Sequence, residues 1–187
     1  MKNLRLFIPI GVFLLTAVFL YKGLFSDPTN IENANLERPF PEFKLPDLMD
    51  PSISYSKQDV MGDMTLVNVW GTWCVTCRVE LPFMTRLRQQ GVRIVGVYYD
   101  NAAEAAFGNL DVSQTQQEVK EMLAQLGNPF QFNIYDVKRD LSLDLGVTGA
   151  PESFLVNEKG IILAHRRGAI DERIWQKEFA PIINGAK

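Results

Sequence analysis

The only two cysteines in the chain, Cys74 and Cys77, lie at the junction of a predicted strand and a predicted helix. The apolar run Leu66–Trp70 before them is rich in β-branched residues, which is typical of a buried strand. The segment 75–90 after them predicts a helix that ends at Gly91. This order places Cys74 at the N-terminus of the helix and Cys77 in its first turn.

This position gives the two cysteines a chemical role. Unpaired backbone N–H groups and the helix dipole favour an anion at a helix N-terminus, so a Cys74 thiolate is stabilised there. Cys77 lies close enough to attack the mixed disulfide that Cys74 would form with a partner. The spacing therefore predicts that Cys74 attacks and Cys77 resolves.

Three other uses of a cysteine pair remain alternatives. Two cysteines cannot complete a tetrahedral zinc site, and the lone His165 is distant in the sequence. Covalent haem attachment needs a His directly after the second cysteine, where Arg78 stands. A structural disulfide that closes so short a loop would remove little unfolded-state entropy. We therefore expect no metal and no cofactor.

The N-terminus predicts a membrane anchor. The segment Leu6–Tyr21 carries no charge and is bracketed by Arg5 and Lys22, and it approaches the ~20 residues that a membrane-spanning helix needs. A cleaved signal peptide is the alternative, but residues 21–26 lack a small-x-small cleavage pattern. Because Lys2 and Arg5 favour the cytoplasmic side, the rest of the chain is expected outside the cytoplasm.

The length of 187 residues suits one domain with an appendage. We predict an anchor at residues 1–25, a polar tether at 26–38 and a folded domain at 39–187. Beyond Lys2, Arg5 and Lys22, the remaining 16 cationic and 22 anionic residues give a net charge of −6. Since no basic run is present, nucleic-acid binding is not expected.

A second buried strand at 93–99 completes a strand–helix–strand unit, which implies a parallel pair with a right-handed crossover. The other predictions are an extended edge at 40–46, a loop at 101–115, helices at 116–126 and 140–145, a strand at 130–135, a hairpin of 153–156 with 161–165, and a last helix from Asp171. Helices on both faces of a mixed sheet give an α/β domain of three layers.

Two prolines add to this pattern. Pro82 lies inside the predicted helix, where we expect it to remove a backbone hydrogen bond and produce a kink. Pro151 follows Ala150 directly before a strand, where a cis peptide bond can be held in a tight turn.

Together these residues resemble the thioredoxin-like superfamily, and within it the DsbE/CcmG family of thiol:disulfide interchange proteins. The resemblance covers residue 43 to the C-terminus and is most specific in Gly149-Ala150-Pro151-Glu152. The other matching strings are Phe43-Lys44-Leu45-Pro46-Asp47-Leu48, Val67-Asn68-Val69-Trp70, Trp73-Cys74-x-Thr76-Cys77-Arg78-x-Glu80, Leu126-Gly127-Asn128-Pro129 and Leu145-Gly146-Val147-Thr148.

The resemblance implies a thioredoxin-like three-layer sandwich with a mixed central sheet, anchored to the bacterial inner membrane by one transmembrane helix with its soluble domain in the periplasm. It implies a reductant in cytochrome c maturation. Electrons would come from a membrane thiol reductase and pass to apocytochrome c or to an assembly thiol protein.

The resemblance also implies roles for single residues. Pro151 would be a cis-proline that faces the disulfide, with Trp73 and Ala150 as further partner contacts. Glu80 and Glu152 would be acids near the sulfurs, and Glu80 lies one helical turn beyond Cys77, where it could take the Cys77 proton. Asn68 stands where the general thioredoxin pattern carries an acid, while Arg78 is interpreted as solvated and His165 as structural.

Two departures limit the resemblance. Val75 follows Cys74, where the family usually has Pro, so the reducing character of the family is not carried over. The 101–115 stretch is longer than the corresponding connection of the family. The alternatives are a broader reductant or oxidant of exported proteins, or, in another class, a redox-inactive binding module or a copper chaperone.

Overall fold

The computed structural model describes residues 4–24, 36–100 and 111–185. Most of the predicted tether and most of the predicted 101–115 loop lie outside the described residues. The chain divides into two units, Met1–Glu32 and Asn33–Lys187, and each is described by itself.

The first unit contains helix α1, Leu4–Leu24. The sequence predicts a transmembrane helix in this region. In the described part of the chain, however, no helix combines the length and the apolar character needed to cross a membrane, so the predicted span is not shown.

The second unit is built on the strand–helix–strand motif that the sequence predicts. Strand β3, Thr65–Trp70, is buried at all six positions and leads through the cysteine turn into helix α3, Val75–Gln89. Strand β4, Arg93–Tyr98, returns parallel to β3. Helix α3 runs unbroken through Pro82.

Three further strands complete a mixed sheet in the order β5-β4-β3-β6-β7. Strand β5, Asn133–Tyr135, is parallel to β4, whereas β6, Glu152–Val156, runs antiparallel to β3. Strand β7, Ile162–Arg167, forms a hairpin with β6. The sheet places the start of β6 beside the end of β3, at the edge where the cysteine turn begins.

Alternation along β3 sends side chains to both faces, and each face has its own hydrophobic core. One core joins Leu66 and Trp70 to α3, to helix α4 (Val112–Leu126) and to the C-terminal helix. The other joins Val67 and Val69 to helix α5 (Asp140–Asp144). The predicted three layers are confirmed.

The C-terminal helix begins after Asp171, whose Oδ1 accepts a hydrogen bond from Ile174 N at 2.7 Å. It contains helix α6 (Glu172–Ile174), a π-helical segment (Trp175–Phe179) and helix α7 (Ala180–Gly185).

The predicted extended edge lies beside the main sheet. Strand β1, Lys44–Pro46, pairs antiparallel with β2, Ser54–Ser56, and the short helix α2, Lys57–Val60, follows. A bridge between Asp47 and Ile134 connects this hairpin to β5.

Several boundaries differ from prediction, three of them as follows. Helix α4 begins at Val112 rather than at 116, because Asp111 Oδ1 caps it by accepting from Ser113 N at 2.9 Å. Strand β5 covers only the last three residues of the predicted 130–135 strand, although Gln131 N also donates to Ile94 O at 2.8 Å. Glu37 and Arg38, placed in the tether, exchange backbone hydrogen bonds with Ile162 at 2.9 Å each.

Candidate active site

The two cysteines form a disulfide at the head of helix α3, with an S–S distance of 2.07 Å. Cys74 is the N-cap residue, and its Sγ accepts a hydrogen bond from Cys77 N at 3.1 Å. Cys74 retains 4 % of its surface while Cys77 retains none. The cysteine that the sequence predicts as the attacking one is therefore the more exposed of the two.

The turn before the disulfide is held by Trp73. Its indole Nε1 donates to Tyr99 O at 2.9 Å, and the two rings lie 5.2 Å apart. A Cβ at Gly71 would come within 2.3 Å of the indole nitrogen, so only glycine fits beneath this ring. Trp73, which the resemblance predicts as a partner contact, therefore packs over the active-site loop.

Arg78 is an exposed residue of α3, as the sequence indicates, and its guanidinium also contacts the turn before the disulfide. Its Nε and Nη2 atoms donate to the Thr72 carbonyl at 3.3 and 3.0 Å. Because two N–H groups of the guanidinium donate to the same carbonyl oxygen, the orientation of the guanidinium relative to that carbonyl is fixed. Arg78 thus ties the first turn of α3 to the residues before Cys74.

Glu80 is buried, with 2 % of its surface exposed. Its Oε1 accepts from Asn68 Nδ2 at 3.0 Å, and its Oε2 accepts from Ile170 N at 2.9 Å. Burial raises the pKa of Glu80 to about 7, because the loss of water outweighs the hydrogen bonds from Ile170 and Asn68. A carboxyl group with this pKa can both accept and release a proton near neutral pH.

Ser153 is a member of this cluster that sequence analysis did not identify. It lies opposite Asn68 in the register of β3 and β6, and its Oγ accepts from Asn68 Nδ2 at 3.0 Å. Its position directly after Glu152, at the start of a strand paired with β3, was the available signal.

The Ala150–Pro151 peptide bond is cis, as predicted. Pro151 is buried, and its carbonyl accepts from Gly168 N at 2.8 Å. Ala150 and Trp73 are both partly buried against the hydrophobic core that contains the two cysteines. The fold thus brings the predicted partner contacts to the core that holds the disulfide.

Glu152 is as buried as Glu80, but its pKa is shifted in the opposite direction. Its Oε1 accepts from Thr148 N and Oγ1, both at 2.7 Å, and its Oε2 is 2.7 Å from His165 Nε2. Burial raises its pKa, but these hydrogen bonds outweigh burial and the pKa is lowered. Glu152 therefore stays ionised. It is better suited to hold the loop at Thr148 by hydrogen bonds than to transfer a proton.

A groove of about 320 Å³ lies between the cysteine turn and helix α4. Its lining residues are Thr72, Trp73, Arg78, Glu118, Glu121, Met122, Gln125 and Leu126. In residues 4–24, 36–100 and 111–185 no group of His, Cys, Asp and Glu side chains is arranged to hold a metal ion.

These parts suit thiol–disulfide exchange. A Cys74 thiolate would be held by the Cys77 N–H and the helix terminus, as an anion is at any helix N-terminus. Cys77 follows within one turn to break the mixed disulfide, and Glu80 offers a buried proton acceptor on the same helix.

Comparison with known proteins agrees with this chemistry. The Redoxin family profile matches residues 36–179. The thiol:disulfide interchange protein DsbE of Pseudomonas aeruginosa is 42% identical over 184 residues, which cover 97% of this chain and 94% of the relative. DsbE of Escherichia coli K12 is 38% identical over 189 residues, covering 97% and 95%.

A similar solved structure comes from Chlorobium tepidum, in a protein assigned provisionally as DsbE. It has a TM-score of 0.58 and 25% sequence identity, and the match covers 75% of this chain and 93% of that one. The chain therefore belongs to the DsbE/CcmG family of thiol:disulfide interchange proteins, thioredoxin-like oxidoreductases within the redoxin group.

Proposed function

We propose that this protein is a periplasmic reductant of cytochrome c maturation. It takes electrons from a membrane thiol reductase and passes them to the cysteines of apocytochrome c or of an assembly thiol protein. The family membership supports this, as does the Gly149-Ala150-Pro151-Glu152 string. The observation that carries the proposal is the arrangement of Cys74 at the N-cap of α3, with the fully buried Cys77 and the buried carboxyl group of Glu80 following it in the helix.

The exchange balances as a transfer of two electrons. The Cys74 thiolate attacks one sulfur of the partner disulfide, forms a mixed disulfide and releases the other partner sulfur as a thiolate. Cys77 then gives its proton to Glu80 and attacks Cys74 Sγ, which releases the second partner thiolate. The partner ends as a dithiol, and this protein ends with the Cys74–Cys77 disulfide that the structure contains.

Attachment to the inner membrane through Leu6–Tyr21 is part of the proposal and rests on sequence. This segment is free of charge between Arg5 and Lys22, and the positive residues before it favour a cytoplasmic N-terminus. The test is fractionation of cells with protease treatment of spheroplasts. Full-length protein in the membrane fraction, with its domain cleaved from outside, is expected; recovery in the soluble fraction would contradict attachment.

Deletion of the gene tests the physiological role. The deletion strain is expected to lose holocytochrome c, and plasmid-borne wild type is expected to restore it while Cys74→Ser does not. Cys77→Ala should accumulate a mixed disulfide with its partner, which mass spectrometry identifies. Normal holocytochrome c in the deletion strain would overturn the role in cytochrome c maturation.

The reduction potential separates a reductant from an oxidant. We expect a value nearer that of thioredoxin, about −270 mV, than that of DsbA, about −120 mV. Equilibration of the purified domain with glutathione or dithiothreitol buffers measures it. A value near that of DsbA would assign the protein to oxidation instead.

A further inference from the structure

The loop before the cis-proline is fixed by one carboxylate. Glu152 Oε1 accepts three hydrogen bonds, from Thr148 N and Oγ1 at 2.7 Å each and from Gly149 N at 3.1 Å. The Glu152 side chain therefore reaches back to the loop that precedes β6. Both loop N–H groups ahead of Ala150 are therefore used within the protein.

The other oxygen of this carboxylate, Oε2, contacts two side chains of strand β7. His165 Nε2 lies 2.7 Å from Glu152 Oε2, and Arg167 Nε lies 3.9 Å from the same oxygen. Because the lowered pKa keeps Glu152 ionised, its oxygens only accept, so the hydrogen of this contact resides on His165 Nε2.

Packing fixes the direction of that hydrogen bond. The His165 ring stacks on Phe154 with a centroid distance of 4.2 Å and an interplanar angle of 11°. His165 and Phe154 are also partners in the register of β6 and β7. The register of the sheet therefore orients the His165 ring, and the ring holds the Glu152 carboxylate by a hydrogen bond. The carboxylate in turn holds the loop before Pro151 in place.

Ala150 is the part of the loop that this arrangement leaves available. The Pro151 carbonyl is taken by Gly168 N at 2.8 Å. Within the described residues, no hydrogen bond engages the Ala150 N–H or C=O. An extended polypeptide gains affinity by pairing its main chain with such groups.

We propose that His165 is a positioning residue for exchange with protein substrates: through Glu152 it fixes loop 148–151 so that the Ala150 backbone is held for pairing with an extended partner strand. The inference rests on the proposed use of Ala150 and Pro151 as partner contacts. It assigns a role in the reaction to the one histidine of the chain, which sequence analysis interpreted as structural.

Two substitutions of His165 separate the hydrogen bond from the packing. His165→Phe keeps a ring that can stack on Phe154 but has no donor for Glu152. His165→Gln keeps an N–H donor at a similar reach. Thr148→Val is a third variant, on an exposed loop residue, and removes one donor to Glu152 with little effect on the core.

The reduced variants are each reacted with two disulfides, oxidised glutathione and a model peptide with an internal disulfide and no cytochrome sequence. Glutathione has little main chain to pair with the loop. We expect His165→Phe to react roughly tenfold more slowly with the peptide and at an unchanged rate with glutathione, because the loop loses its alignment. Thr148→Val should show a smaller loss of the same kind, and His165→Gln should resemble wild type.

The ratio of the two rate constants is a readout that a purely structural role would not move. Equal slowing with both disulfides, or an unchanged ratio in His165→Phe and Thr148→Val, would overturn the inference. A wild type that showed no preference for the peptide would also overturn it. None of these results would touch the cytochrome c role, which the deletion strain tests independently.

Discussion

The Nδ2 atom of Asn68, in the middle strand of the sheet, lies 3.0 Å from the Oε1 atom of Glu80 on helix α3. Both residues are buried, and the same nitrogen also donates to Ser153 Oγ. In the described part of the chain the Asn68 Oδ1 atom has no hydrogen-bond partner. Hydrogen bonds from Asn68 and Ile170 therefore hold the Glu80 carboxyl group in place, while its burial raises its pKa.

The first prediction concerns stability against pH. Burial raises the pKa of Glu80 from 4.5 to about 7, so between these values the folded protein binds more protons than the unfolded chain. Stability attributable to Glu80 therefore falls as the pH rises. We expect wild type to lose roughly 2–3 kcal/mol of unfolding free energy relative to Glu80→Gln between about pH 5 and about pH 8.

Urea unfolding of both proteins in the oxidised form, at the two pH values, measures this difference. Glu158→Gln, which removes an exposed carboxylate in the β6–β7 turn, is the matched control and should follow wild type. A pH dependence that Glu80→Gln shares with wild type would show that Glu80 does not titrate in this window.

The second prediction concerns the resolution step. Removing a positioned proton acceptor costs roughly 10²-fold or more, so Glu80→Gln should slow the attack of Cys77 on the mixed disulfide while the first attack by Cys74 keeps its rate. In wild type the resolution rate should rise through about pH 7 as Glu80 ionises. Quenched-flow trapping of the mixed disulfide measures both steps; a mutant that resolved at the wild-type rate would exclude Glu80 as the acceptor.

The cysteine site could be predicted because its parts are local in the sequence. A buried strand, two cysteines and a helix follow one another within 66–90, and local hydrogen bonding fixes their geometry once the helix forms. The same holds for the cis peptide bond before Pro151, which is predicted from a proline directly before a strand. Short-range patterns therefore sufficed to name Cys74, Cys77 and Pro151.

The contacts that sequence analysis missed connect residues far apart in the chain. Ile170 N reaches Glu80 across 90 positions, and Asn68 meets Ser153 across 85. These contacts depend on the register of β3 with β6 and on how the chain returns to α3, and one sequence does not specify register. The pairing of His165 with Glu152 was hidden for the same reason.

The third prediction concerns Gly71. A methyl group there would lie 2.3 Å from the Trp73 indole nitrogen, so Gly71→Ala must displace the ring and break its hydrogen bond to Tyr99 O. We expect a loss of roughly 1–3 kcal/mol in unfolding free energy and a change in tryptophan fluorescence. Gly185→Ala, where a Cβ meets nothing within 4 Å, is the control. Unchanged fluorescence and stability would show that Trp73 does not pack over Gly71 in solution.

The fourth prediction concerns the thiols. After reduction, the Cys74 thiolate sits at the helix terminus beside the Cys77 N–H, so the pKa of Cys74 should lie below the ~8.5 of a free cysteine. Iodoacetamide should therefore label Cys74 before Cys77 across the neutral range. Mass spectrometry of partly alkylated protein identifies the labelled residue. Preferential labelling of Cys77 would reverse the assignment of attacking and resolving sulfurs.

The fifth prediction concerns Val75, where the family usually has proline. Val75 is the first residue of α3, a position where a helix leaves the N–H unpaired and where proline is well tolerated. Cys74 before it has an extended backbone, φ −88° and ψ 105°, which a following proline requires. Val75→Pro should therefore stabilise the protein by about 0.4–1 kcal/mol, because proline restricts the unfolded chain. Thermal unfolding in the oxidised form tests this, and a lowered midpoint would mean that the cysteine turn cannot accept the fixed φ of proline.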